Sequence, residues 1–284
     1  MSAAALKARL ADPRFLLAPG VADPLTALIA AEAGHQALFL SGAGLSFAQF
    51  ARPDLGFHGL ADLAESTRRI TSRCALPLIV DADTGFGNAL NVADTVARLE
   101  ATGAAAIVLE DQTAPKRCGH LAGKSVIPLP EAAGKIAAAV AARRATLIIA
   151  RTDALAVEGL EPALTRARAY AAAGADLIFV EAPLHRATLS TIATLPAPLV
   201  VNMVEAGPPT LSAADVAALG FRIALFPVMA LRAQVAAARA ALAHLHAAGT
   251  PAAAPVPLAP FADLNSLTGL DSLLADADRF KGTS

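Results

Sequence analysis

Short apolar runs recur at regular intervals along the chain. Eight of them, near residues 14, 37, 76, 105, 145, 175, 198 and 222, are continuously apolar and rich in leucine, isoleucine and valine. Runs without polar alternation are typical of strands buried on both faces of a parallel sheet. The pattern therefore predicts eight parallel strands.

Alanine-rich segments with helical spacing separate these runs. Several of them, such as NVADTVARLEATG and EGLEPALTRARAYAAAG, end at a glycine, as helices commonly do. Because strand and helix alternate eight times, the chain is predicted to be an α/β protein with a (β/α)8 TIM barrel. An open doubly wound sheet is the alternative.

Composition limits the classes of partner. Charged residues interrupt every apolar run before the roughly 18 to 20 residues of a membrane span, and no basic run or basic-aromatic stripe suggests a nucleic-acid surface. The first residues lack the apolar core of a secretory signal. We therefore expect a cytoplasmic protein with reduced thiols and a small-molecule partner, binding neither nucleic acid nor membrane.

Polar residues stand where six of the predicted strands end. In a barrel these positions converge on one mouth, where active sites of this fold are built. One such residue alone could be a turn or a helix cap, but six strands together favour a site. The residues are Ser41, Asp81, Asp83, Glu110, Asp111, Arg151, Asp153, Glu181 and Asn202.

Three carboxylates are candidates for binding a divalent cation. Asp81 and Asp83 lie two residues apart in DADTGFG, and Glu110 ends the next strand. Mg²⁺ is held through one or two carboxylates while waters complete its shell. Without a cation, close carboxylates would repel one another and raise their pKa values. The alternative interpretation is an Asx-turn followed by a helix cap.

Arg151 ends the fifth predicted strand. Its guanidinium is a rigid fork that matches a carboxylate, so it could clamp an acidic substrate. An ion pair with Asp153 or Glu181 is the alternative.

Residues 112–129 form a long connection that contains PKRCGH. Connections of this length in compact domains are usually functional or disordered, and this one is a candidate lid. Lys116 and Arg117 should lower the pKa of Cys118 from about 8.5, which suits a general acid. His120 could assist Cys118 or simply cap the loop.

The remaining sulfur and imidazole groups are expected to be structural. Cys74 is predicted to be a small buried residue. The other five histidines show no metal-ligand spacing and are expected at the surface; they are His35, His58, His185, His244 and His246.

Taken in order, the segments LFLSGAG, PDLGF, DADTGFGN, LEDQ…PKRCGH…GK, IIARTDA, FVEAP and NMVE resemble the isocitrate lyase and phosphoenolpyruvate mutase superfamily. The K-R-C-G-H element resembles its lyase branch, which includes methylisocitrate, 2,3-dimethylmalate and 2-alkylmalate lyases. The resemblance implies a Mg²⁺ enzyme, with Mn²⁺ possible, that cleaves a 2-hydroxy dicarboxylate to a keto acid and an enediolate.

The resemblance also implies roles for individual residues. Asp81 would bind the metal directly, and Asp83, Asp54 and Glu110 would hold its waters. Cys118 would protonate the enediolate from a gating loop that also carries Lys116, Arg117, Gly119 and His120. The substrate contacts would come from Ser41, Gly42, Ala43, Gly119, Arg151, Glu181, Asn202 and Arg232.

Three positions depart from the lyase pattern. Phe39 stands where lyase relatives often carry a tyrosine, so the base is not identified. Leu121 follows C-G-H where methylisocitrate lyases have an arginine, and no arginine lies between Arg239 and Arg279. These departures favour a 2-alkylmalate-like dicarboxylate as substrate over a tricarboxylate of the methylisocitrate type, which stays the alternative.

The C-terminal segment indicates that the chain assembles into an oligomer. Residues 249–284 begin with a proline-rich stretch, GTPAAAPVPLAP, and continue into an amphipathic run. We expect residues 1–248 to form the barrel and this segment to exchange with a neighbouring subunit. The resemblance implies a homotetramer, built as a dimer of dimers.

Two other functions remain open at this point. One is an oxaloacetate decarboxylase or C–P bond enzyme on the same scaffold. The other is a barrel that binds a keto acid without turnover, which is suggested only by Phe39.

Overall fold

The computed structural model describes residues 2–117, 119, 123–181, 185–204 and 211–281. The predicted residues Cys118, His120 and Leu121 lie outside the described residues.

Eight parallel strands form one sheet in the order β1-β8-β7-β6-β5-β4-β3-β2. A bridge between Gly20 and Phe39 links β1 to β2, so the sheet is a nearly closed barrel. The predicted (β/α)8 architecture is thereby confirmed. The strands are β1 Leu16–Pro19, β2 Leu38–Leu40, β3 Leu78–Asp81, β4 Ala106–Glu110, β5 Leu147–Thr152, β6 Leu177–Val180, β7 Leu199–Asn202 and β8 Ile223–Phe226.

Helices lie between the strands and beyond the last of them. In the described part of the chain they are α1 Ser2–Ala11, α2 Pro24–Glu32, α3 Gly42–Phe50, α4 Leu60–Arg73, α5 Ala89–Ala101, α6 Leu129–Ala142, α7 Ala154–Glu158, α8 Leu160–Ala172, α9 Arg186–Ile192, α10 Ala213–Ala218, α11 Met229–Ala248, α12 Phe261–Thr268 and α13 Leu270–Phe280.

Alternate residues of each strand enter two different apolar clusters. Ile79 and Ile149 belong to the inner cluster, whereas Val80 and Ala150 belong to the cluster shared with the helices. Because successive side chains of a strand point to opposite faces, this period fixes which polar residues turn inward at the strand ends. They are Asp81, Glu110, Arg151 and Glu181.

The N-terminal helix adds to the inner cluster. Leu6 of α1 is fully buried there, together with Leu16 at the start of β1. Arg222, just before β8, donates to the backbone oxygens of Pro13 and Leu10, which holds the end of α1 against the strands. This end of the barrel is therefore filled by apolar side chains, and the polar site lies at the opposite end.

The C-terminal helices differ from the barrel. None of the described residues of α11, α12 and α13 is buried. Large apolar side chains are exposed on these helices, including Leu242, Phe261 and Leu273. The single amphipathic run expected from the sequence forms two helices separated at Gly269. No helix in the described residues is long and apolar enough to cross a membrane.

Candidate active site

A cavity of about 180 Å³ opens at the C-terminal ends of the strands. Its wall combines apolar side chains with charged ones. It is lined by Phe39, Ser41, Ala43, Phe47, Asp54, Asp81, Glu110, Lys116, Gly119, Arg151, Phe179, Glu181, Asn202, Val204, Leu225, Pro227 and Val228. Most of the predicted site residues in the described chain therefore meet at one place.

The backbone around Asp81 holds its carboxylate in place. Oδ1 accepts a hydrogen bond from the amide of Asp83 at 3.2 Å, and Oδ2 accepts one from the amide of Gly42 at 3.3 Å. A Cβ at Gly42 would lie 3.0 Å from Asp83 Oδ1 and 3.5 Å from Asp81 Oδ2. A glycine at position 42 therefore lets the start of α3 approach both carboxylates.

Lys116 brings its ammonium group into this cluster. Its Nζ lies 2.5 Å from Asp54 Oδ1 and 2.8 Å from Asp83 Oδ1. All three side chains are almost completely buried. Burial acts to lower the pKa of Lys116, but Asp83, Asp81, Glu110 and Asp54 raise it overall, so the lysine is charged.

His58 is buried beside Asp83, and the expectation that it lies at the surface is wrong. Its Nε2 lies 3.3 Å from Asp83 Oδ2, and its Nδ1 lies 3.1 Å from Ser46 Oγ. Burial acts to lower the pKa of His58, but the contact with Asp83 raises it overall. The imidazole thus contacts Oδ2 of Asp83, whereas Lys116 contacts Oδ1 of the same carboxylate.

The two neighbouring aspartates have opposite pKa shifts. Burial, followed by repulsion from Asp83, raises the pKa of Asp81. For Asp83, burial acts in the same direction, but His58 and Lys116 lower its pKa overall. Asp83 is therefore neutralised by protein groups, while the charge of Asp81 is left largely uncompensated.

Arg151 occupies the other side of the cavity. Its Nε lies 2.9 Å from Asp153 Oδ2 and 3.3 Å from Glu110 Oε2, and its NH2 lies 3.3 Å from Glu181 Oε2. The guanidinium also stacks 5.1 Å from the ring centroid of Phe179. Burial acts to lower the pKa of Arg151, but these carboxylates raise it. The ion pairs with Asp153 and Glu181 are present, and they hold the guanidinium at the cavity wall.

Glu110 lies between Arg151 and the aspartates Asp81 and Asp83. Its Oε1 is buried without a hydrogen-bond partner. Burial raises the pKa of Glu110 well above its usual value, and Arg151 only partly offsets this. A buried carboxylate oxygen without a partner is costly, so this acceptor is available to a donor or a cation.

The predicted substrate-contact residues lie around this core. Ser41 caps α3, with its Oγ accepting from the amide of Gly44 at 3.4 Å, and Asn202 Nδ2 donates to Glu181 Oε2 at 3.2 Å. Gly119 lies against the arginine, because a Cβ there would be 2.5 Å from Arg151 NH2.

Four residues of the described chain with predicted metal, substrate or loop roles do not line the cavity: Gly42, Asp83, Arg117 and Arg232. Gly42 and Asp83 lie directly behind its wall, where their amides donate to Asp81. Arg117 is exposed, and its backbone is held by Gln112, which accepts from the Arg117 amide at 3.0 Å. Arg232 lines a neighbouring cavity that shares Phe47 and Val228 with the first. Cys118 and His120 fall outside the described residues, so their positions stay predictions. Cys74 is buried with a free thiol, as expected.

The carboxylate cluster, which consists of Asp54, Asp81, Asp83 and Glu110, provides the oxygen ligands that a divalent cation such as Mg²⁺ prefers. Within the described residues no three His, Cys, Asp or Glu side chains converge on one point as ready-made ligands. However, Glu110 presents a buried unpartnered oxygen, and the pKa of Asp81 is raised by burial and by Asp83, which Lys116 and Arg151 only partly offset. Magnesium needs only one or two carboxylates, with waters as its other ligands, so these residues suit such an ion.

Sequence patterns missed two buried side chains of this site. His58 lies in the connection between α3 and α4, and Lys124 lies at the end of the long loop. Neither position follows a strand, so the pattern of polar residues at the strand ends does not include them. Two of the segments that carry the family resemblance could have directed attention to them, because PDLGF directly precedes His58 and LEDQ…PKRCGH…GK ends at Lys124.

Sequence comparison relates the chain to known lyases. It is 47% identical over 237 residues to the 2-methylisocitrate lyase of Aeropyrum pernix, which covers 83% of this chain and 77% of that protein. It is 36% identical over 276 residues to the 2,3-dimethylmalate lyase of Eubacterium barkeri, which covers 96% of each.

Structural comparison gives the same relationship. A crystal structure of 2,3-dimethylmalate lyase has a TM-score of 0.92 and 38% identity and covers 100% of this chain and 98% of that one. Oxaloacetate acetylhydrolase with 3,3-difluorooxalacetate has a TM-score of 0.92, 34% identity and the same coverage. A phosphonopyruvate hydrolase complex that contains oxalate and Mg²⁺ has a TM-score of 0.89, 35% identity and 99% coverage of both chains.

The family relationship covers the barrel. The sequence model described as phosphoenolpyruvate phosphomutase matches residues 6–246, and the 2,3-dimethylmalate lyase is described as a member of the PEP mutase/isocitrate lyase superfamily. The chain therefore belongs to the phosphoenolpyruvate phosphomutase family, within the PEP mutase/isocitrate lyase superfamily.

Proposed function

We propose that this protein is a carbon–carbon lyase that cleaves a 2-hydroxy dicarboxylate of the 2-alkylmalate type. The observation that carries the proposal is the pairing, across one small cavity, of a buried arginine with a cluster of buried carboxylates. The arginine offers charge to an acidic substrate, and the carboxylates suit a divalent cation. The names of the similar lyases support the same reaction class.

The proposed reaction breaks the bond between C2 and C3. The C2 hydroxyl loses its proton, and C2 becomes the carbonyl of a keto acid such as pyruvate. The electron pair of the broken bond stays on C3, where the enediolate takes up a proton to give the second carboxylic acid. Phe39 lines the cavity but carries no hydroxyl, so the group that removes the first proton is not named.

We propose Mg²⁺ as the cofactor, with Mn²⁺ as a substitute. Asp81, with Asp83, Asp54 and Glu110 around it, would hold the ion. When bound, the ion would stabilise the negative charge that develops on the substrate. Arg151 and Asn202 orient the substrate from the opposite side, and Ser41, Gly42, Ala43, Glu181 and Gly119 complete the contacts.

We assign the second proton transfer to Cys118 on the loop. Lys116 and Arg117 precede it, and His120 follows two residues later. The two cations would favour the thiolate and so bring the pKa of the thiol closer to neutrality. Arg232, in the neighbouring cavity, would contact only a substrate that extends past Phe47 and Val228.

The apolar part of the cavity wall supports an alkyl substituent over a third carboxylate. Phe39, Val204 and Leu225 line it, and a charged group placed there would be desolvated without a partner. This agrees with Leu121 and with the absence of arginine between Arg239 and Arg279.

The test is a panel of 2-hydroxy dicarboxylates scored for keto-acid release through a coupled lactate dehydrogenase assay. We expect 2,3-dimethylmalate or a related alkylmalate to give a signal, and Cys118→Ser to lose most of it. Oxaloacetate consumption that survives Cys118→Ser would favour a decarboxylase, and oxalate as product would favour an acetylhydrolase. No turnover of any member would favour a binding protein.

We also propose that residues 249–284 pack on a neighbouring subunit in a homotetramer. The uncovered apolar side chains of α11 to α13 support this, because solvent exposure of many large apolar groups is unfavourable. Light scattering of the full chain should give four times the mass of one chain, and a monomer would contradict the proposal. A cytoplasmic location stays a prediction.

A further inference from the structure

Lys124 is a buried lysine to which the proposed reaction gives no role. Its side chain is only 5% exposed, although Gly123 and Ser125 on either side of it are exposed. Its Nζ donates to the carbonyl oxygen of Gly119 at 2.6 Å and to Asp153 Oδ1 at 2.8 Å. Burying an ammonium group is costly unless it is paired, so these two contacts fix where the lysine lies.

Asp153 is a rigid partner for this lysine. Its side chain is fully buried, and it accepts from Arg151 Nε at 2.9 Å and from Arg151 NH2 at 3.1 Å. Its own amide donates to Asp111 Oδ1 at 2.9 Å. Asp111 is held in turn by the hydroxyls of Thr152 and Tyr170, each at 2.7 Å. Asp153 cannot move without disturbing both Arg151 and this network.

Gly119 is the other end of the bridge, and it lies directly on the arginine. A Cβ at this position would be 2.5 Å from Arg151 NH2 and 3.2 Å from Glu181 Oε2. Lys124 holds the carbonyl of the same residue. Lys124 therefore bears on the distance between the Gly119 backbone and the Arg151 guanidinium. Lys124 itself does not line the cavity.

We infer that Lys124 is a positioning residue, which seats the loop backbone at Gly119 against Arg151 by bridging Gly119 to Asp153. It acts through these groups and does not touch substrate. The inference rests on the proposed function for its kinetic consequence, but its structural consequence can be measured without turnover.

The kinetic consequence is a loss of kcat with little change in KM. Arg151 keeps Asp153, Glu110 and Glu181 as partners when Lys124 is replaced, so ground-state substrate binding is retained. Cys118, the proton donor proposed on the loop, is needed in the transition state. A displacement of such a group by about 1 Å can cost about a hundredfold in rate. We expect Lys124→Met to lower kcat by about ten- to a hundredfold, and Lys124→Arg to restore part of it.

The experiment combines kinetics with limited trypsinolysis, read by mass spectrometry. In Lys124→Met we expect faster cleavage after Arg117, while the other tryptic sites, apart from the one lost at position 124, keep their wild-type rates. Lys281→Met is the matched control, because Lys281 pairs with Asp278 at 2.6 Å on the surface. In an Asp153→Ala background, Lys124→Met should have little further effect on either readout, since the side-chain acceptor of the bridge is already absent.

Three results would overturn the inference. The first is wild-type kcat together with wild-type cleavage after Arg117 in Lys124→Met. The second is a loss of kcat in Lys281→Met equal to that in Lys124→Met. The third is faster cleavage of Lys124→Met at all sites, which would indicate general destabilisation. If wild type turns over no 2-hydroxy dicarboxylate, the proposed function fails while the cleavage comparison still decides the role of Lys124. If Lys124→Met does not fold, the same comparison is made with Lys124→Gln, for which wild-type kcat together with wild-type cleavage after Arg117 would count against the bridge.

Discussion

The two sides of the cavity are built from the same residue types with a different balance of charge. On the carboxylate side, Asp54, Asp81 and Asp83 face one ammonium group, that of Lys116, and the imidazole of His58 beside Asp83. On the arginine side, two carboxylates, Asp153 and Glu181, face two cations, Arg151 and Lys124. The arginine side is thus balanced by the protein itself, and the carboxylate side is left with excess negative charge.

The imbalance of charge indicates that the carboxylate side is the one suited to a cation from solution. On the carboxylate side the pKa of Asp81 is raised by burial and by Asp83, whereas on the arginine side Asp153 is also buried but Arg151 and Lys124 lower its pKa to about 2. Glu110 lies between the sides with an unpartnered oxygen. The arginine side can bind an anion without rearrangement, and the carboxylate side is suited to a divalent ion.

Replacing Arg151 should give the largest effect and break the arginine side. Arg151→Met leaves buried carboxylates without their partner and removes the proposed substrate clamp, so kcat/KM should fall about a thousandfold, given losses of 2–5 kcal/mol for truncating one partner of a buried charge pair. Arg151→Lys keeps the charge but loses the fork and should recover only part of the loss. Steady-state kinetics of both variants check this, and wild-type rates in Arg151→Met would contradict it.

Replacing Asp81 should break the carboxylate side without affecting the arginine side. Asp81→Asn removes the uncompensated charge, and we expect Mg²⁺ affinity, measured by titration calorimetry, to weaken about a hundredfold or more, since even outer groups of metal sites contribute 10–100-fold. The surface variant Asp94→Asn is the control, because Asp94 pairs with Arg98 in solvent. Equal Mg²⁺ affinity in Asp81→Asn and wild type would show that the ion binds elsewhere.

A smaller effect concerns the stability of the metal-free protein as pH changes. Because the pKa of Asp81 in the folded protein is raised above 3.8, the folded state holds this proton more tightly than the unfolded chain. The contribution of Asp81 is therefore favourable at low pH, and stability is lost as pH rises from 3.8 through the folded pKa.

The Asp81→Asn variant isolates this contribution. In thermal denaturation in the presence of chelator, the melting temperature of Asp81→Asn relative to wild type should rise as pH increases through that range. Asp94→Asn should show no such trend. A constant difference between Asp81→Asn and wild type across the range would mean that Asp81 does not carry the excess charge.

The sequence was sufficient for the barrel and for the groups at its strand ends. Continuous apolar runs predict buried parallel strands, and the two-residue period then turns Asp81, Glu110, Arg151 and Glu181 inward. These positions depend on local geometry alone.

Residues on connections could not be placed in the same way. His58 and Lys124 owe their burial to contacts with Asp83 and Asp153, which are distant in the sequence. Arg232 lies near the start of α11, and its position depends on how that helix leaves the barrel. No periodic pattern encodes such contacts, because they arise from tertiary packing.

The most direct test of the account is keto-acid release from 2,3-dimethylmalate by chelator-treated protein, measured before and after addition of Mg²⁺. We predict no release without the ion and turnover when it is restored, because the carboxylate side lacks the cation that complements Arg151. Release at the same rate in the presence of chelator, or none from any alkylmalate after Mg²⁺ is added, would contradict the account.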